Sequence, residues 1–283
     1  MSQQQGPVAV ITGAGSGFGA ALAARCQGAG YAIAVLDIDG DAAKRTAASL
    51  ETAGGTAIAG AVDVADRRTL DDAAAEVRSA LGRCDLLFAN VGVQQISTLE
   101  GFSDHDWQWL LSVNVKGTID TVFSFLPLMR DTSGDRHVVF TASDSVLAPS
   151  PRIGPYIVSK AAVTAFADVL ALELADEGIG VTTVFPSGMI TNHLASSEAA
   201  RPAALGPWRL REEDMAVVSV NAAPTPADIA SPEDAAANVL EQVLDNHRYV
   251  VTHGTSRARF QARVARLNEA YHRMERYDTK GGS

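Results

Sequence analysis

From Pro7 onward the chain switches repeatedly between short, continuously apolar runs and longer stretches of helical composition. Nothing else in the sequence constrains the fold as strongly. Continuous apolar runs mark parallel strands buried on both faces, and the stretches between them supply the helices that do the burying. The runs are Val8–Thr12, Ala32–Asp37, Thr56–Ala61, Asp85–Ala89, His137–Ala142, Gly180–Phe185 and Arg248–Thr252. Gly28, Gly30, Gly54, Gly55 and Gly82 fall where the intervening helices should end, which suits glycine's tolerance of left-handed backbone angles. The pattern predicts an α/β fold: a doubly wound sheet of about seven parallel strands with helices on both faces. Ligands then bind in the crevice beyond the carboxyl ends of the strands, so chemistry should sit on the loops that follow them.

At 283 residues, with no internal repeat or low-complexity linker, one domain spanning 1–283 is the simplest organisation. Two segments stand outside the alternation. Residues 192–230, with several prolines and a lone Trp208, are too long for an idle connection and should form a partly helical lid. Residues 255–277 are rich in arginine and of helical composition; we expect them to pack against a subunit. A formal charge of −10 opposes unaided binding to nucleic acid or an anionic membrane. With a polar start and no apolar run of about 18 residues, we expect a cytoplasmic location. Cys26 and Cys84 have no motif around them and read as buried spectators. The histidines show no zinc spacing, so no catalytic metal is expected.

After the first strand comes Thr12-Gly13-Ala14-Gly15-Ser16-Gly17-Phe18-Gly19, followed by helical sequence. Glycines there let the backbone approach a pyrophosphate, which the free amides and the positive end of the helix dipole attract. An ordinary tight turn would fit the loop equally well; the next strand sharpens the reading. Asp37 ends it, eighteen residues beyond Gly19, where a carboxylate can accept from both adenosine ribose hydroxyls and repels a 2′-phosphate. Neither Ser16 nor Ile38 offers a cation for that phosphate, so NAD is preferred over NADP. Asp63, in Val62-Asp63-Val64, faces the adenine or simply makes a turn.

Tyr156 and Lys160 are four apart in a predicted helix and share one face of it. The sequence at this point resembles the short-chain dehydrogenase/reductase family in its compact one-domain form, over about Pro7 to Thr252. The Thr-Gly-x-x-x-Gly-x-Gly pattern is present as Thr12, Gly13, Gly17 and Gly19. Tyr-x-x-x-Lys is present as Tyr156 and Lys160, with Ser143 thirteen residues before the tyrosine, and the family's structural asparagine matches Asn114. The chain departs from the usual pattern at Ala89-Asn90-Val91-Gly92 and at Pro186-Ser187, which is followed by Gly188.

The resemblance implies a Rossmann-like fold and a hydride transfer between NAD(H) and a secondary alcohol or ketone of moderate size, with Tyr156 as acid/base. It implies that Ser143 donates to the substrate oxygen, that Lys160 orients the nicotinamide ribose, and that Asn114 holds a water leading to Lys160. The implied cofactor contacts are Gly13, Ser16, Gly17, Phe18, Gly19, Asp37, Ile38, Asp63, Val64, Asn90, Gly92, Tyr156, Lys160, Pro186, Gly188, Met189 and Thr191. An unperturbed phenol, with a pKa near 10, is a poor base at neutral pH; an ammonium about 4 Å away should bring it toward neutrality. Ser145 competes with Ser143 for its role. Gln94, Gln95, Val146, Leu147, Met189, His193 and Trp208 lie on loops that could reach the substrate, although His193 reads first as a solvent-facing lid residue. Ala161–Leu174 is apolar on nearly every face, which predicts a neighbouring subunit. The resemblance agrees, pairing this helix and Ser103–Met129 into a homodimer or homotetramer. Two other readings stay open: a non-catalytic NAD-binding sensor or scaffold, and an epimerase or dehydratase on the same fold.

Overall fold

A computed structural model describes residues 6–278. Seven parallel strands form one sheet: β1 (Val8–Thr12), β2 (Ala32–Asp37), β3 (Ala57–Ala61), β4 (Leu86–Ala89), β5 (Arg136–Thr141), β6 (Ile179–Phe185) and β9 (Tyr249–Val251). Their order is β3-β2-β1-β4-β5-β6-β9. The order reverses between β1 and β4, and the crevice at that reversal is where a doubly wound sheet binds its ligand. Each predicted strand is present within a residue or two. A separate pair, β7 (Gly188–Met189) and β8 (Ile229–Ala230), is too short to leave a periodic signal.

The helices α1 (Gly17–Gly28), α2 (Gly40–Thr52), α9 (Pro232–Ala236) and α10 (Val239–Leu244) cover one face. There Phe18, Leu22, Leu50, Val239 and Val243 pack on Ile11, Ile33 and Phe88. On the other face lie α3 (Arg67–Leu81), α5 (Thr118–Asp131) and α6 (Gly154–Glu173), whose Leu70, Val77, Phe125, Val163 and Leu170 pack on Val10, Leu87 and Phe140. Two cores on opposite faces of one sheet explain why the strands read as unbroken apolar runs. Among the described residues, α6 is the helix long and apolar enough to cross a membrane; here one face lies on the sheet, with Val163, Ala167 and Leu170 buried. Of the helix-ending glycines, Gly30, Gly54 and Gly82 take positive φ, while Gly28 closes α1 without it.

The stretch predicted as one helix from Ser103 to Met129 is three pieces: α4 (Asp104–Leu111), a π-helical turn at Ser112–Gly117, and α5. The 192–230 region holds α7 (His193–Ala199) and α8 (Glu212–Ala222) and lies over the crevice. The chain ends in α11 (Arg257–Asp278).

Candidate active site

A single cavity of about 800 Å³ opens at the carboxyl ends of β1, β2, β4, β5 and β6. The glycine loop lines one end and Tyr156 the other, so the features read separately in the sequence share one space. All seventeen residues assigned to the cofactor line it, as does Ser143. Asn114 lies beneath, fully buried.

At the loop, Gly17 takes φ +53°, and a Cβ on Gly19 would fall on the carbonyl oxygen of Gly13. The first turn of α1 carries no acid, which leaves its amides and dipole for an anion. Asn90 anchors the loop: its Nδ2 donates to the carbonyls of Thr12 (3.1 Å) and Gly13 (3.3 Å), and its Oδ1 accepts from Thr141 Oγ1 at 2.9 Å. One side chain thereby ties the ends of β1, β4 and β5 together. Asp37 is similarly held, with Oδ2 accepting from Gly15 N at 2.9 Å and Oδ1 from Asp39 N at 3.0 Å. A carboxylate has about four acceptor positions, so two remain for hydroxyls. Asp63 Oδ1 accepts from Ala65 N at 2.9 Å; it is both a turn residue and a lining residue.

Ser143 caps the short turn after β5. Its Oγ accepts from Ser145 N (3.2 Å) and Ser145 Oγ (2.9 Å), which fills both acceptor positions and leaves its own proton to donate. Ser145 lines the cavity too, beside Ser143. The Lys160 ammonium donates to Thr141 O at 2.8 Å and lies 5.9 Å from the centroid of the Tyr156 ring. A Cβ on Gly92 would come within 2.9 Å of Lys160 Nζ, which accounts for glycine there. Asn114 Oδ1 accepts from Val93 N at 2.7 Å, and its Nδ2 donates to Val93 O and Ser159 Oγ, each at 2.9 Å. Ser159 Oγ in turn donates to Tyr156 O at 2.7 Å. Asn114 therefore braces the loop after β4 against α6 between the tyrosine and the lysine. The π-helical turn carries it, a distortion common at functional sites.

The electrostatics correct one expectation. Burial pushes the Tyr156 phenol up to about 12, with the Ser143 hydroxyl drawing it back and the Asp144 carboxylate adding to the rise. Lys160 does not bring the phenol toward neutrality, because its ammonium is turned to Thr141 and is itself pulled down to about 8 by burial. Burial is the largest influence on the phenol.

His193 corrects another. It is not a solvent-facing lid residue: its ring meets Tyr156 edge to face at 6.3 Å, and its buried Nε2 has no partner. Burial, then the Lys160 charge, lowers it to about 4, so it stays neutral. Gln94 and Met189 line the cavity as expected, but Gln95, Val146, Leu147 and Trp208 do not. Gln95 Oε1 is occupied by Arg201 at 3.0 Å, and the Trp208 indole donates to Ile96 O at 3.2 Å. The Val146 carbonyl accepts from Arg263 on α11. Buried Asp144, whose carboxyl is raised first by burial, also lines the cavity; its place beside Ser143 was the only sequence signal for it. Among the described residues, no group of three His, Cys, Asp or Glu side chains could hold a metal ion.

The profile of the short chain dehydrogenase family matches residues 7–202, and the chain belongs to that family of oxidoreductases. A C alpha-dehydrogenase of Sphingobium sp. is 30% identical over 252 residues, covering 89% of this chain and 82% of the relative. Two further curated relatives are longer, and this chain spans 17% and 32% of them. A short-chain dehydrogenase/reductase from Burkholderia phymatum, solved with NAD, superposes with a TM-score of 0.85 at 30% identity, covering 95% of this chain and 97% of that one. One from Mycobacterium paratuberculosis, also bound to NAD, gives 0.74 at 25% identity, covering 87% and 96%.

Proposed function

We propose that this chain is an NAD-dependent dehydrogenase/reductase that interconverts a secondary alcohol and its ketone. The observation that carries the reading is that Ser143, Tyr156 and Lys160 line the same cavity as the glycine loop and Asp37. The residues fit a dinucleotide: the backbone is bare at Gly17 and Gly19, and Asp37 keeps acceptor capacity. Gly13, Ser16, Gly17, Phe18 and Gly19 would hold the diphosphate. Asp37, Ile38, Asp63 and Val64 would hold the adenosine end. Asn90, Gly92, Tyr156, Lys160, Pro186, Gly188, Met189 and Thr191 would surround the nicotinamide end. Bound there, NAD(H) supplies the hydride acceptor or donor. Lys160 is the sole Lys or Arg among the residues lining the cavity, so no cation awaits a 2′-phosphate, which supports NAD over NADP.

The chain's own groups manage the proton. Ser143 donates to the substrate oxygen and stabilises the charge that develops on it. The Tyr156 hydroxyl, held neutral by burial, is the form that protonates a carbonyl oxygen; it takes the proton back from an alcohol when added positive charge in the cavity favours the phenolate. Lys160, at about 8, can exchange its proton near neutrality. The wall beyond is mostly apolar, with Val93, Ile96, Trp109, Ile153, Met215 and Val218; this supports a substrate of moderate size with an apolar body. Exposed Phe123, Val158, Val169 and Leu172 on α5 and α6 support a homodimer or homotetramer. Two buried, unpaired cysteines agree with a cytoplasmic setting, and the net charge of −10 argues against nucleic acid or membrane as a partner. A panel of secondary alcohols and ketones assayed with NAD(H) and NADP(H), following the absorbance of the reduced nicotinamide, tests the reading. Turnover with NAD is expected; dinucleotide binding without any turnover across the panel would favour a sensor.

A further inference from the structure

We propose that His193 determines specificity by pairing, through Nε2, with a hydroxyl on the carbon next to the one that gains or loses hydride. The substrate class is then a vicinal diol and its α-hydroxy ketone. The proposal rests on the dehydrogenase reading of this cavity and narrows it. His193 Nε2 is buried and has no hydrogen-bond partner, on a residue that lines the cavity with Ser143, Tyr156 and Lys160. A buried polar atom without a partner is expensive and uncommon. Here a ligand in the cavity can supply the partner that the fold does not. The backbone that carries the ring is fixed from both sides: His193 N donates to Thr191 Oγ1 at 3.3 Å, and His193 O accepts from Ser197 Oγ at 2.6 Å. Ser197 Oγ also accepts from Gln94 N at 3.0 Å, which ties the first turn of α7 to the loop after β4. A group held on so fixed a backbone is set up to select, since binding need not first order that turn.

The chemistry of the partner follows from the ring. Burial, then the Lys160 charge, keeps the imidazole neutral, so it offers one donor nitrogen, one acceptor nitrogen and no charge for an anionic group. Its Nε2 donates in one tautomer and accepts in the other; a hydroxyl does both and so satisfies either. The position of the partner follows from the spacing of the rings. The imidazole and the Tyr156 phenol meet edge to face with centroids 6.3 Å apart. An oxygen that reaches Nε2 therefore lies close to the oxygen that Tyr156 serves, and the adjoining carbon is the nearest that can carry it. This second hydroxyl takes no part in the redox step. The carbinol carbon gives its hydride to the oxidised nicotinamide and its hydroxyl proton to the Tyr156 phenolate, and the neighbouring hydroxyl is carried unchanged into the α-hydroxy ketone.

The test sets simple secondary alcohols against the vicinal diols that carry one more hydroxyl, such as cyclohexanol with vicinal cyclohexanediol and sec-butanol with vicinal butanediol. Each is assayed with NAD through the absorbance of the reduced nicotinamide. Wild type should favour the diol of a pair by roughly tenfold or more in kcat/KM, and His193→Leu should cut that preference to about twofold or less, because no group is then left to pair. His193→Gln, which keeps a donor and an acceptor, should restore part of it. A ring that merely packs on Tyr156 would, when replaced, slow both members of a pair alike and leave their ratio unchanged; that result overturns the proposal. NAD affinity of His193→Leu, by calorimetry, should stay within a fewfold of wild type. A loss of NAD affinity with the diol preference intact overturns the proposal in favour of a cofactor contact. Wild-type turnover of the simple alcohols without a preference for the diols overturns this proposal alone. NAD binding with no turnover of any pair overturns the dehydrogenase reading and this proposal with it. If the leucine variant fails to fold, the wild-type preference and the glutamine variant still decide.

Discussion

Replacing Lys160 with methionine should make the protein more stable while abolishing turnover. Lys160 is 3% exposed, and burial brings its ammonium from 10.5 to about 8. That displacement corresponds to roughly 3 kcal/mol by which burial disfavours the charged form at neutral pH. Lys160→Met removes this cost and gives up the hydrogen bond to Thr141 O, worth about 1 kcal/mol, for a net gain of about 2 kcal/mol. With an unfolding entropy of about 2.1 cal/mol/K per residue, the melting temperature should rise by roughly 3 °C. The sign with pH follows from the folded value lying below the unfolded one. Between about 8 and 10.5 the unfolded chain holds more protons, so wild-type stability rises with pH across that window and is lost again as pH falls through 8. The variant's advantage should therefore be full below pH 8 and gone near 10.5. Urea unfolding of both proteins at several pH values between neutrality and 10.5 measures it directly. A variant less stable than wild type at neutral pH, or an advantage that does not change with pH, would refute the reasoning.

Other perturbations reach other parts of the site. Gly19→Ala sets a Cβ against the Gly13 carbonyl; it should cost at least about 1 to 3 kcal/mol of stability and abolish NAD binding by calorimetry. Asp37→Ser removes a charged acceptor from the ribose end, so NAD affinity should fall by roughly tenfold or more and the NAD/NADP preference should narrow; an unchanged ratio would overturn the role given to Asp37. Arg201 pairs with Asp106 at 2.6 Å, with both side chains buried, and also holds Gln95 Oε1 and Gly206 O. Arg201→Met should destabilise the protein by roughly 3 to 5 kcal/mol and raise KM by loosening the lid, which urea unfolding and steady-state kinetics would show.

The sheet was legible because its strands are buried on both faces, so each run of Val, Ile, Leu and Ala carries its own signal. The glycine loop, Asp37, Tyr156 and Lys160 were legible because local backbone shape and helical spacing dictate those residue types. What escaped the sequence depends on contacts between distant segments. The π-helical turn at Ser112–Gly117 carries Asn114, whose amide reaches back to Val93, and no periodicity reports such a brace. Gln95 was placed at the substrate because nothing near it in the chain foretells Arg201, 106 residues later. His193 looked like a lid residue until α7 folded over α6 and laid its ring against Tyr156. The phenol's upward shift had the same origin: helical spacing brings the lysine near, but only the folded cavity shows how little water remains and that the ammonium turns to Thr141.

The most direct measurement of the central claim is NAD affinity and turnover in Tyr156→Phe, which removes one oxygen and leaves the ring in place. The account predicts NAD binding within a fewfold of wild type, by calorimetry, together with near-complete loss of turnover on any alcohol or ketone the wild type accepts. Turnover persisting at the wild-type rate would contradict it, because the proton would then be moved by a group other than the Tyr156 hydroxyl.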